Sequence, residues 1–428
     1  MQEGVSLFRA LMMIAVLAAC GIETARAQTV RTIPLTAFVD SLGINVHINY
    51  KDGAYADAAQ VAADLRYLGL VQVRQGMPVS WGTVRLDDFA VLARQGTRFD
   101  MILRWQDIEN GFYRTFLHDL VRTSPGSLEA VEGFNEIQNW PVTYGGQTGP
   151  AAAHTAMQAV YAALRADPVL KSIPVYDMTG APPVARIARR ADFANAHPYP
   201  HNGRQPCGAI DHGFEENYVQ PAPVPRVITE IGNFTLPAGW PSNKSWWHGY
   251  TMLGIDEATQ AKSVIAAYFC GARAGVARTY VYELLDEKPD PNNSKPEMRF
   301  GVFRFDHSPK PAATAIRNLV FLLNQARNRA GSAAISRDLI SGAPTVRSLL
   351  LRKASGGLIL ALWNDVDFWS YGGALNAAPV SVTVRFSRPL AVDIFDPLAG
   401  TAAIGHRNAA LAVDVPVPDH PILIELLP

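Results

Sequence analysis

The sequence carries no surplus of either charge: lysines plus arginines number 38, and so do the acids, in 428 residues. That balance gives no global field to draw the chain onto nucleic acid or an anionic membrane. Cysteine is scarce, at three residues, and no Cys/His spacing of the metal-binding kind occurs, which argues against zinc. A glycine-rich phosphate loop and low-complexity tracts are also missing. Long apolar runs are absent except for "ALMMIAVLAAC" at 10–20, preceded by Arg9. It is too short to span a bilayer and reads as an export signal. "ARA" at 25–27 puts small residues where a signal peptidase needs them, so 1–27 is expected to leave as a signal peptide. "LAAC" at 17–20 is a competing lipobox that would make Cys20 a lipid anchor. Either way the mature chain is expected outside the cytoplasm, secreted or periplasmic, with no membrane span. Cys207 and Cys270 would then remain, and a disulfide or two buried thiols both fit.

What is present is a globular composition, 48% apolar and 18% charged, in a chain long enough for one large domain and a smaller one. From 42 to 330, extended apolar runs alternate with helical patterns. "LGINVHINY", "LVQVRQG", "RFDMILRW", "LEAVEGFNE", "IPVYDMTG", "DFANAHPYP", "RVITEIGNF" and "RTYVYELLDE" are the strand-like members. Helical segments follow them, such as "YADAAQVAADLRYLG" and "SPKPAATAIRNLVFLLNQ", the latter with Pro311 in its first turn. A further helix is expected at 183–190. Eight strand–helix repeats predict a closed α/β barrel, the (β/α)8 TIM fold. A doubly wound open sheet is the competitor, but it usually brings the phosphate loop that is missing here. From 331 to 428 the runs are short, β-rich and separated by Gly, Pro and Asn, the pattern of a small antiparallel β-sandwich. The strand-like segment within 28–41 is a candidate to join it.

In a parallel barrel, function gathers at the carboxyl ends of the strands. Those ends offer His47 and Asn49, Arg74, Trp105, Asn135 with Glu136, Asp177, His197 with Tyr199, Glu230, and Tyr282 with Glu283. Glu136 ends the fourth strand and Glu230 the seventh, so a closed barrel sets them facing each other across its mouth. Two carboxylates flanking a pocket, about 5 Å apart, suit glycosidic cleavage: one protonates the leaving oxygen and the other meets the anomeric carbon. Asn135 is placed to grip a sugar hydroxyl. Arg74 is placed to keep Glu230 ionised, and Tyr199 or His197 to orient it. Trp105, Trp140, Trp240, Trp246 and Trp247 lie on or past strand ends, where indoles stack on sugar rings. Plainer readings stand beside these. Arg74 also fits a barrel salt bridge, His197 a buried structural histidine, and Trp246 and Trp247 a loop packed on the barrel wall. Glu283 either lines the site or pairs with a rim cation. Glu132 and Trp363 read as structural.

The motifs "EGFNE", "HPYP", "TEIG" and "YELLDE…FGVFRFDHSPKPA" resemble clan A glycoside hydrolases over the whole barrel and the sandwich behind it. The chain is most similar to the bacterial extracellular group that holds exopolysaccharide-matrix hydrolases and xylosidase/iduronidase-like enzymes. The resemblance implies a retaining enzyme with Glu136 as acid/base and Glu230 as nucleophile. It also matches Arg74 to the strand-two arginine and His197 and Tyr199 to the strand-six pair. Phe134 stands where relatives often have proline, and "YVYEL" where many have tryptophan.

The expectation is therefore a secreted, endo-acting retaining glycosidase for a polysaccharide or oligosaccharide, needing no cofactor or metal. Glu136 should carry a raised pKa, partly from the charge of Glu230. A transglycosylase would use the same residues. A non-catalytic sugar-binding barrel and a metal-dependent hydrolase are the other classes considered.

Overall fold

The computed structural model describes residues 30–79, 85–180, 189–214, 224–236, 254–341, 343–370 and 373–428. The expected signal peptide, Cys20, Trp240, Trp246, Trp247 and most of the 183–190 helix lie outside these residues. Among the described residues no helix is long and apolar enough to cross a membrane.

Eight parallel strands form one sheet: Leu42–Val46, Gln72–Gly76, Arg98–Ile102, Leu128–Glu132, Val175–Tyr176, Ala194–Ala196, Arg226–Ile231 and Val276–Val281. Each pairs with its sequence neighbour, and Val276–Val281 pairs back onto Leu42–Val46. A parallel bridge from Tyr176 to Phe193 closes the ring. The strands are almost continuously buried, as strands covered on both faces must be. The fold class read from the sequence is the one observed.

Local signals set the helix ends. Asp57 caps Ala58–Leu68 by accepting from the amides of Ala59 and Gln60, and Gly69 closes that helix at φ 73°. Asp256 caps Glu257–Ala274, and Pro311 opens Pro311–Arg327.

The remaining chain forms a seven-stranded sheet, antiparallel except at one edge, where Thr32–Pro34 adds in parallel to Val346–Arg352. Its longest strand, Val380–Phe395, shifts register between Arg385 and Leu390 and pairs with three partners. In Leu358–Asn364 every residue is buried. Leu360 and Leu362 face the sandwich core, whereas Ile359, Ala361 and Trp363 join the barrel's hydrophobic cluster. That explains why "LILALWN" is apolar throughout instead of alternating. Trp363 is fully buried and packs towards Phe269 on the helix Glu257–Ala274. The two domains thus share a core.

Cys207 and Cys270 form a disulfide, which settles the choice left open by the sequence. It ties the helix Pro206–Gly213 to Glu257–Ala274 across 63 residues of chain. Closing a loop of that length should stabilise the fold by about 4 kcal/mol, less any strain. The double variant Cys207→Ser/Cys270→Ser is expected to lose about 2–4 kcal/mol in urea unfolding. An unfolding midpoint equal to that of the oxidised protein would refute this.

Candidate active site

The site is built on one buried guanidinium. Arg74, from the second barrel strand, is 1% exposed. Its Nε and Nη2 donate to the two oxygens of Glu132, at 2.6 and 2.8 Å. Its Nη1 donates to Asn45 at 2.9 Å and also to Glu230. Its Nη2 donates again to Asn135 at 2.8 Å. Glu132 also accepts from Thr229 and Asn195. Every donor of the guanidinium faces an acceptor supplied by the first, fourth or seventh strand or its end. Arg74 is therefore both a barrel ion pair and a neighbour of Glu230, so two readings that the sequence set against each other hold together.

Above this layer the two expected carboxylates meet. Glu136, Glu230 and His197 each present one atom within 4.8 Å of the others. Glu136 sits just past the fourth strand with φ 41°, a left-handed conformation that costs a non-glycine residue free energy. Its amide donates to Thr179 Oγ1 at 2.9 Å. Tyr199 donates its phenol to Glu230 Oε2 at 2.7 Å. His197 Nδ1 lies 3.0 Å from Glu136 Oε1 and 3.5 Å from Glu230 Oε2. Its Nε2 lies 3.0 Å from Thr229 Oγ1, a hydroxyl that itself faces the acceptors of Glu132 and Asn195. Thr229 donates to those acceptors, so Nε2 carries the proton. The short contact between Nδ1 and Glu136 then needs one further proton shared across it.

The raised pKa expected of Glu136 is not what the unliganded site gives. Burial pushes its carboxyl up, but the hydrogen bond and charge of His197, with a bond from Asn139 at 3.0 Å, hold it below the usual glutamate value. A sequence cannot show those two partners meeting one carboxylate.

These groups open on a cavity of about 800 Å³. Tyr282, Tyr199 and Phe300 pack edge to face along one side. Gly232 of "TEIG" lets the eighth strand approach, since a Cβ there would lie 2.2 Å from the Tyr282 carbonyl. His47 stacks on Tyr50 at 4.7 Å, and burial pushes its imidazole down to about 4. Trp140 stands at the rim, 66% exposed. Three expected residues are not on the cavity wall: His197, which stands behind Glu136 and Glu230, Trp105 and Glu283. Trp105 starts a short 3-10 helix that turns its indole against the hydrophobic core. Glu283 is fully buried behind His47 and accepts from Tyr55 at 2.8 Å.

The wall also holds carboxylates that the motif reading passed over. Glu287 and Glu297 both face the cavity, and burial pushes each up to about 7; the nearby charge of Glu287 adds to the rise at Glu297. Glu287 closes "YELLDE" in plain view, whereas Glu297 lies in the short 3-10 helix Pro296–Arg299, with no periodicity to mark it. His47, Glu283 and Glu287 form a second trio with ligand atoms within 4.8 Å.

No family model matches the chain, and no curated protein does. Solved structures do. A monomeric β-xylosidase from Caulobacter crescentus CB15 aligns with a TM-score of 0.51 at 14% identity, over 91% of this chain and 96% of that one. The GH39 enzyme from Xanthomonas axonopodis pv. citri aligns at 0.47 and 12% identity, over 96% and 100%. An active-site mutant of the β-1,3-glucanosyltransferase of Rhizomucor miehei, in complex with laminaritriose, aligns at 0.46 and 14%, over 64% and 96%. At such identities the likeness establishes the fold, and the β-xylosidase carries that statement.

Two outcomes follow from the electrostatics. Arg74→Met leaves Glu132 buried without its cation, and should cost about 3–5 kcal/mol in chemical unfolding. A loss below 1 kcal/mol would show that Glu132 finds another partner. Glu287 and Glu297 lie above the ordinary value of 4.5, so each favours the folded state while protonated. That contribution is intact below about 4.5 and is lost as the pH rises through about 7. The melting temperature should fall between pH 5 and 8, and Glu287→Gln/Glu297→Gln should flatten the fall in calorimetry. An unchanged slope in the double variant would contradict it.

Proposed function

We propose that the protein is a retaining glycoside hydrolase that cleaves internal bonds of a polysaccharide or oligosaccharide. The observation that carries this is the approach of Glu136 and Glu230 to within 4.8 Å at the barrel mouth. Double displacement needs two carboxyl groups about 5 Å apart, too close for a water to stand between them as inversion requires.

In the first step Glu230 attacks the anomeric carbon while Glu136 passes a proton to the departing oxygen. Tyr199 and Arg74 hold Glu230 by hydrogen bonds to its two oxygens, which fixes the direction of attack. In the second step Glu136 takes a proton from water, and the hydroxide displaces Glu230 from the sugar. His197 sits one hydrogen bond from Glu136 and shares the proton that Glu136 gives up in the first step and regains from water in the second. The residues needed are all protein groups. Asn135 lines the cavity beside Glu136 and positions a hydroxyl of the bound ring. The size of the cavity and the exposed Trp140 at its rim support binding of several sugar units, hence internal cleavage. The disulfide and the apolar run at 10–20 support export.

Purified protein assayed on glucans, mannans and xylans should release oligosaccharides whose new anomeric centre keeps its configuration, read by NMR at early times. Glu230→Gln should lose at least about 10³-fold in kcat, and Glu136→Gln about 10²–10⁴-fold. Turnover near that of the unaltered protein in either variant, or an inverted product, would sink the proposal.

A further inference from the structure

The cavity wall holds more carboxyl groups than the proposed reaction uses. Besides Glu136 and Glu230 it carries Asp52, Glu287 and Glu297. The cations beside them are already engaged. Arg74 is saturated by Glu132, Glu230, Asn45 and Asn135. Lys288 is bonded to Asp52 at 2.5 Å. His47 is held neutral by burial.

Glu287 is 7% exposed and faces the cavity, yet its side chain has no hydrogen bond or ion pair among the described residues. Glu297 has one polar partner, the Tyr282 phenol at 3.2 Å. Behind them Glu283 is fully buried with Oε1 unpartnered. A buried carboxylate without a partner is costly, and a site that retains it is complementary to a cation.

We propose that the sugar bound beside the catalytic pair is an unacetylated amino sugar, whose ammonium group is received by Glu287 and Glu297. This rests on the glycosidase reading and narrows it to a polysaccharide containing free amino groups. An ammonium brings three N–H donors to these acceptors and compensates their charge. A uronate in the same place would meet only like charge. An N-acetylated ring would leave the Glu287 carboxylate uncompensated.

The test uses oligomers of glucosamine and of galactosamine, each beside its fully N-acetylated counterpart, titrated calorimetrically into Glu136→Gln protein in EDTA. At least one amino oligomer should bind about 10- to 100-fold tighter than its acetylated form, the range of a charge-assisted hydrogen bond. Adding Glu287→Gln and Glu297→Gln to that protein should erase the preference. Equal or weaker binding of both amino oligomers overturns the proposal, as does a preference that survives both substitutions. Mn²⁺ alone, titrated without sugar into the same protein freed of EDTA, should give no saturable heat. A saturable signal lost with Glu287→Gln would assign the acidic wall to a metal and overturn the proposal as well. The two readings fail separately. Cleavage of neutral glycans with no amino preference removes this inference and leaves the glycosidase. Tight amino-oligomer binding, with no glycan cleaved by the unaltered protein, removes the glycosidase.

Discussion

Four barrel strands meet on one guanidinium, and the geometry of the cavity follows from it. Arg74 takes acceptors from Asn45, Glu132 and Glu230 on three other strands, and from Asn135 just beyond one of them. A buried ion cluster of this kind seldom adds net stability over an apolar core of equal volume, because desolvating the charges offsets their attraction. What it supplies is position. The planar fork accepts only one arrangement of its partners, so the ends of the fourth and seventh strands are fixed relative to each other. Glu230 is thereby held from below by Arg74 and from the side by Tyr199.

That arrangement needs a stiff frame, and the second domain contributes to it. The strands Val346–Arg352, Leu358–Asn364 and Ile422–Leu426 bury one face in the sandwich and the other against the barrel. Lys262 on the helix Glu257–Ala274 reaches Asp419 at 2.8 Å, and the disulfide anchors the same helix at Cys270. That helix connects the seventh and eighth strands, whose ends carry Glu230 and Tyr282.

The barrel was legible because strands covered on both faces are largely apolar, and most were followed by a helical pattern with its own cap or stop. Glu136 and Glu230 were legible because both terminate such strands. Trp105 shows where the rule stops: its position at a strand end was read correctly, but the 3-10 turn that sends the indole into the core leaves no periodic trace. Glu283 follows Tyr282 on the same run, and a run gives no sign of which neighbour faces the cavity. Glu297 lies in the short 3-10 helix Pro296–Arg299, too short to leave a periodic trace, and becomes part of the wall only where the fold brings it there. The pKa of Glu136 depends on His197, which arrives from 61 residues away.

The lowered pKa of Glu136 and the acid role proposed for it are reconciled by the shared proton. The carboxylate is favoured because His197 and Asn139 stabilise its charge. A sugar entering the cavity excludes water from Glu136, and loss of hydration disfavours the anion. Burial is already the largest influence on this carboxyl, so in the proposed reaction deeper burial would move the shared proton from His197 towards the oxygen that is to donate it. If the sugar then esterifies Glu230, its negative charge is gone, and the anionic form of Glu136 would again be favoured, the form that the proposed second step requires. The proposal thus assigns the same two residues to both halves of the cycle because the charge between them would change.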